Sequence, residues 1–212
     1  MDPDLASMRR EYDEPASAFD VSATDPMALF DVWFADVHAS GTVEPNAMVL
    51  STVGTSGPSS RTVLLKGVDT RGFSFFTNHD SRKGHELSAS PRCSLLFGWY
   101  AWHRQVRVEG QAHLLAHPEV EAYFAQRPRG AQLGAWASRQ SSVVADRAEL
   151  EAAFAEAERR FEGQEIPPPP TWGGYVVEPE MIEFWQGRAN RLHDRALFTR
   201  VGDHWTRERL AP

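Results

Sequence analysis

Apolar residues recur along this chain with two periods, and each change of period marks a new element. Pro26 follows Asp25, and Phe30, Trp33, Phe34 and Val37 then fall at helical spacing. An aspartate that can accept from free N–H groups, followed by proline at the first helical position, opens a helix. The spacing predicts an amphipathic helix over residues 26–39, ended by Gly41. The pattern then turns to short apolar runs broken by Gly, Pro, Asn and Asp. Strands are expected at 47–53, 61–68, 73–78, 93–100 and 104–115, with "GTSGPSS" as a turn between the first two. Helical spacing returns at 117–128 and 145–163, where Leu150, Phe154, Ala157 and Phe161 share one face. "PPPP" at 167–170 reads as a stiff connector, and "GGYVVEP", "MIEFWQG", "DRALFTRV" and "HWTRERL" return to strand. Residues 1–24 show no sustained period and read as a mobile arm.

Short strands at close spacing suggest an antiparallel barrel or sandwich. No long βαβ alternation occurs and no GxGxxG follows a strand, which disfavours a dinucleotide-binding fold. One α+β domain over 25–212 is the simplest account.

Composition narrows the partners. The 212 residues carry a formal net charge of −7. A general nucleic-acid or membrane-surface binder is usually basic, so neither partner is expected, and an anion site must be a local concentration of cations. Cys93 is the only cysteine, which excludes an intrachain disulfide and fits a reducing cytoplasm. No apolar stretch at the N-terminus has signal-peptide character, and no run approaches the roughly 18–20 residues of a membrane span. A soluble cytoplasmic protein is expected.

Several segments concentrate chemistry. In "RTVLLK", Arg61 and Lys66 bracket an apolar strand. They are either solvated strand ends or cations delivered to an anionic ligand. In "TNHDSRKGHEL", Ser81 is a plausible helix cap, which puts Arg82 and Lys83 in the first turn. Cations there oppose the helix dipole, a placement that makes sense if a phosphate docks on the helix start. Tyr123 and Arg127 are four apart, as a phosphate-gripping pair or a surface aromatic–cation pair would be. Arg129, Gln132, Gln140 and Ser141 follow in an amide-rich run. "EFWQGRANRLHDR" then sets Trp185 beside Arg191, His193 and Arg195. On a strand these last three would face one side and repel each other without an anion or electron-rich ligand between them. No metal-ligand spacing and no nucleophile–base signature is present, so proteolysis and acyl transfer are disfavoured.

These segments, with "RREY", "FFTN", "RQV", "WGGY" and the terminal "RLAP", give the chain its resemblance to the pyridoxamine 5'-phosphate oxidase family over nearly its whole length. The resemblance implies an antiparallel split β-barrel with flanking helices, a homodimer with FMN at its interface, and no metal. It implies that Arg61, Thr62, Val63, Leu64, Leu65 and Lys66 line the flavin, continued by Phe76 and Thr77. Arg82 and Lys83 would bind the FMN phosphate, and Gln105, Gln140, Ser141, Trp185 and Arg195 would complete the cofactor shell. The substrate's phosphate would fall to Lys66, Tyr123 and Arg127. Arg191 and His193 would act on the ring, with Leu192 between them, and Arg9, Arg10, Glu11 and Tyr12 would close over the site.

Two positions depart from the family pattern. Ala131 stands where a serine ligand of the phosphate is common, and Phe76 where tyrosine is common. The reaction implied is oxidation of pyridoxine or pyridoxamine 5'-phosphate to pyridoxal 5'-phosphate, with oxygen reduced to hydrogen peroxide. A phenazine-type oxidase, a non-catalytic flavin or pyridoxal phosphate carrier, and a deazaflavin-dependent reductase are the alternatives.

Overall fold

In the computed structural model, the structure describes residues 4, 8, 12, 19 and 22–212. The expected arm therefore lies mostly outside the described residues, and Arg9, Arg10 and Glu11 are among those left outside.

Helix α1 spans Pro26–Ala39, and the Asp25 carboxylate accepts from Met27 N–H at 2.8 Å. Strands β1 (Ala47–Gly54), β2 (Gly57–Leu64), β3 (Gly67–Asp69) and β4 (Gly72–Asn78) follow. Next come α2 (Arg82–Ala89), β5 (Arg92–Trp99) and β6 (Arg104–Leu114). Three helices succeed them, α3 (His117–Ala125), α4 (Arg129–Ala137) and α5 (Arg147–Arg160). β7 (Trp172–Gln186), β8 (Asp194–Val201) and β9 (His204–Arg209) close the chain.

The strands order as β2-β1-β5-β6-β7-β4-β3, with β8 beside β7 and β9 beside β8. β7 is the long member. Its first part pairs antiparallel with β4, from Trp172 opposite Asn78 to Val177 opposite Phe73. Its last part pairs with β8, from Met181 opposite Thr199 to Gln186 opposite Asp194. This open antiparallel sheet with flanking helices is the split-barrel arrangement expected.

Two local readings are corrected. "GTSGPSS" is mostly strand, with only Thr55 and Ser56 in the turn. Pro58 is tolerated because β2 ends the strand order, and proline within sheets is found on such edge strands. Leu150 does not join the buried face of α5. It is 41% exposed, and packing begins only at Phe154, Ala157 and Phe161.

By its internal contacts the chain forms two compact units. The first comprises Met1–Val49, Ser94–Glu109 and Pro179–Pro212. Its core is aromatic: Phe30 meets Phe97 at 5.0 Å, Trp33 meets Phe184 at 5.2 Å and Phe184 meets Phe198 at 5.8 Å. Arg104, only 1% exposed, lies 4.4 Å from the Trp33 ring centroid. Its Nε donates to Gln186 at 2.9 Å and its Nη1 to Asp36 at 3.0 Å. A buried cation that loses its carboxylate is costly. Asp36→Ala is expected to lower stability by about 1–3 kcal/mol, less than for a fully buried pair because water screens the half-exposed Asp36. A urea-unfolding midpoint checks this.

The second unit comprises Leu50–Cys93 and Gly110–Glu178. Phe124, Leu133, Ala157, Phe161 and Ile166 pack together under α3, α4 and α5, with Trp136 and Trp172 against them.

Candidate functional site

A cavity of about 980 Å³ opens within the second unit. Arg61, Thr62, Val63, Leu64, Lys66, Phe76, Thr77, Arg82, Lys83, Tyr123, Arg127, Ala131, Gln140 and Ser141 line it. Leu65 is the one member of the expected wall that does not, and its side chain is 6% exposed. Among the described residues, five that line it are cations and none is acidic.

The cations differ in how they are held. Ser81 caps α2, accepting from Gly84 N–H at 3.3 Å, and so places Arg82 and Lys83 in the first turn. Lys83 is 8% exposed. Its Nζ reaches Thr77 Oγ1 at 3.2 Å, Ser81 Oγ at 3.3 Å and Gln140 Oε1 at 3.1 Å, all neutral oxygens. Burial first, and then the nearby Arg61 charge, pushes the Lys83 pKa down. A cation so placed gains from an anion brought into the cavity.

Arg61 and Arg82 share a carboxylate that sequence reasoning missed. Glu86 accepts from Thr52 Oγ1 at 2.5 Å, Ser59 Oγ at 2.8 Å, Arg61 Nη2 at 3.1 Å and Arg82 Nε at 2.8 Å. The Thr52 bond leads, with Arg82, Ser59 and Arg61 adding, and these overcome desolvation to hold the Glu86 pKa at about 2. The four-residue spacing from Arg82 was the available signal. Gly54 leaves room for this carboxylate, since a Cβ there would come 2.9 Å from Glu86 Oε1.

Tyr123 stacks on Phe76 at 3.9 Å with 11° between the rings. Arg127 lies one turn beyond Tyr123 but past the end of α3, so the two meet the cavity from a helix and from the loop that follows it. Trp172, Ser59, Ser60, Gln126 and Pro128 also line the cavity and were not anticipated as site residues.

The remaining site residues gather in the first unit. Gln105, Trp185 and Arg195 line a pocket of about 200 Å³ with Arg107 and Glu183. Arg195 Nε donates to Glu183 at 2.7 Å, which raises the Arg195 pKa. Leu192 and His193 line another shallow pocket near Leu210. The Tyr12 ring lies 4.3 Å from His103, 5.7 Å from His193 and 5.9 Å from Trp185, and His193 lies 4.7 Å from Trp185.

Arg191, His193 and Arg195 do not share a strand face, contrary to the sequence reading. β8 begins at Asp194, and Arg191 ends a short 3₁₀ turn, Ala189–Arg191, in which Asn190 and Arg191 have φ of 55° and 61°. His193 Nδ1 accepts from Arg188 N–H at 3.1 Å, so the proton of the neutral ring sits on Nε2. Burial, then the Arg191 charge, pushes the His193 pKa below the ordinary histidine range. The ring is thus a neutral donor at physiological pH.

Comparison with known proteins fits this geometry. Residues 34–161 match the family model described as pyridoxamine 5'-phosphate oxidase. Residues 172–212 match the pyridoxine 5'-phosphate oxidase C-terminal dimerisation region. The chain is 57% identical over 210 residues to a pyridoxine/pyridoxamine 5'-phosphate oxidase of Rubrobacter xylanophilus, covering 99% of this chain and 97% of the relative. It is 58% identical to one of a Nocardioides species, covering 99% and 98%. Among solved structures, PhzG of Burkholderia lata in complex with tetrahydrophenazine-1-carboxylic acid aligns with a TM-score of 0.87 at 33% identity, covering 93% of this chain and 99% of that one. The fold and the matches define a split-barrel oxidoreductase. The chain belongs to the pyridoxamine 5'-phosphate oxidase family.

Proposed function

We propose that this chain is an FMN-dependent oxidase that converts pyridoxine and pyridoxamine 5'-phosphate to pyridoxal 5'-phosphate, working as a homodimer with the flavin at its interface. The carrying observation is the cavity of the second unit, where among the described residues five cations gather without a lining carboxylate, in a chain of net charge −7. Lys83, buried among neutral oxygens, suits a phosphate monoester such as that of FMN. When bound, the flavin would supply acceptance of two electrons from the substrate carbon and their transfer to oxygen, giving hydrogen peroxide.

The chain's own residues bind and orient. Arg82 and Lys83 at the start of α2 would hold the cofactor phosphate, with Arg61, Thr62, Val63, Leu64, Phe76, Thr77, Gln140 and Ser141 around the rest. Lys66, Tyr123 and Arg127 would hold the substrate phosphate. Ala131 lacks a hydroxyl, which lowers affinity by the net worth of one hydrogen bond to a charged group, about 1.5–3 kcal/mol. Gln105, Trp185 and Arg195 complete the flavin's surroundings, while Arg191 and the neutral His193 fix the ring and stabilise charge that develops on it.

The purified protein is expected to be yellow and to release peroxide with pyridoxine 5'-phosphate. Unphosphorylated pyridoxine should be at least about 10²-fold poorer in kcat/KM, because two or more charge-assisted bonds are lost. A colourless protein that takes up no FMN refutes the reading. Equal use of both pyridoxines favours a phenazine-type oxidase, for which Lys66, Tyr123 and Arg127 would have no phosphate to hold.

A further inference from the structure

The "PPPP" connector and the "WGGY" segment have no part in the chemistry so far, yet they meet the cavity at Arg127. Trp172 N–H donates to Pro169 O at 2.9 Å. On its other side, His79 N–H donates to Thr171 O at 2.7 Å and Asn78 Nδ2 to Thr171 Oγ1 at 3.0 Å. The backbone that carries the indole is therefore held by the proline turn and by the residues at the end of β4, while the indole Nε1 is buried with no hydrogen-bond partner among the described residues. The indole ring centroid lies 4.1 Å from Arg127 Cζ and 5.6 Å from the Phe124 ring, which itself sits 5.4 Å from Arg127 Cζ.

Arg127 has two unusual features in this setting. Its Nη1 is buried and has no hydrogen-bond partner among the described residues. No ion pair to it is found there either. The guanidinium is thus held by two aromatic faces instead of by a carboxylate. A carboxylate would position the side chain equally well but would cancel the charge that an incoming anion needs. An aromatic face attracts the cation through its quadrupole and leaves the N–H donors unspent.

We infer that Trp172 is a positioning residue for the substrate phosphate: it holds the Arg127 guanidinium over its ring and keeps it unneutralised, so that its donors serve a phosphate monoester. The same segment aims the second gripping group. A Cβ on Gly174 would fall 2.8 Å from Phe76 Cδ1, so the glycine leaves room for the ring on which Tyr123 stacks. The inference rests on the proposed role of Arg127 in phosphate binding.

The test is a double-mutant cycle in the FMN-loaded dimer, using Trp172→Leu, Arg127→Ala and the pair. KM and kcat for pyridoxine 5'-phosphate are measured, together with equilibrium binding of pyridoxal 5'-phosphate and flavin content. Trp172→Leu is expected to raise KM and weaken pyridoxal 5'-phosphate binding by about tenfold, with kcat and flavin content within about twofold. In the Arg127→Ala background the same change is expected to do nothing further to either quantity. Trp172→Phe keeps an aromatic face and should restore most of the affinity. If Trp172→Leu does not fold, Trp172→Phe carries the cycle, with a rise of two- to threefold that vanishes beside Arg127→Ala. An unchanged KM in a folded Trp172→Leu, or additive effects in the pair, overturns the inference. Failure of the underlying functional reading shows separately, as a wild-type protein that neither oxidises nor binds these phosphates.

Discussion

Arg191→Ala is expected to keep its flavin and lose turnover by about 10²–10³-fold in kcat, the scale of removing one preorganised electrostatic contact. Two consecutive non-glycine residues, Asn190 and Arg191, hold left-handed backbone, with Leu192 between them and His193. That conformation costs about 1–2 kcal/mol per residue, so it persists only where surrounding structure enforces it. Here the enforcement includes the Arg188 N–H bond to His193 Nδ1 and the Arg188 Nε contact with Asp194 at 2.6 Å. The turn presents an exposed guanidinium beside a neutral imidazole donor. Arg191→Lys keeps the charge without the planar fork and should recover only part of the rate. Flavin absorbance and steady-state kinetics on the same samples decide the matter. Wild-type turnover in the alanine variant would falsify the assignment.

The second large effect is expected at Glu86. Its buried carboxylate joins buried Thr52, part-buried Ser59 and Arg61, and the exposed Arg82 in one network. Glu86→Ala leaves Arg61 uncompensated next to Lys83 and frees Arg82 from the cavity wall. The variant should lose about 2–4 kcal/mol of stability, as when a buried ion pair is broken from one side, and should bind FMN weakly or not at all. Chemical denaturation and flavin titration check the two halves. The pH dependence has a definite sign. A carboxyl whose folded pKa is about 2, against an ordinary 4.5, stabilises the fold fully above its ordinary value. That contribution declines as pH falls below 4.5 and is gone once pH has passed through about 2. Glu86→Gln should flatten this part of the stability profile. A variant that retained both the wild-type acid limb and full FMN affinity would remove Glu86 from its role.

The helices and strands were largely legible because their signals are local. Asp25 before Pro26 and Ser81 before Arg82 are caps that act on N–H groups two or three residues away, and both are made as read. "DRALFTRV" alternates and is β8. Reading failed where a distant partner decides. Pro58 looked like a turn residue, but the strand order puts β2 at an edge that accepts it. Arg191, His193 and Arg195 alternate in sequence, yet a 3₁₀ turn ends just before His193 and breaks the period.

The sequence by itself determined the element types, the acidic background against which any cation cluster stands out, and the order of motifs that marks the family. Those properties depend on neighbours along the chain. Only the tertiary structure decided that Glu86 gathers Thr52, 34 residues away, together with Arg61, and that Trp172 covers Arg127. Strand register and burial choose such partners. A charged side chain's worth depends on what is left to face it once water has been excluded.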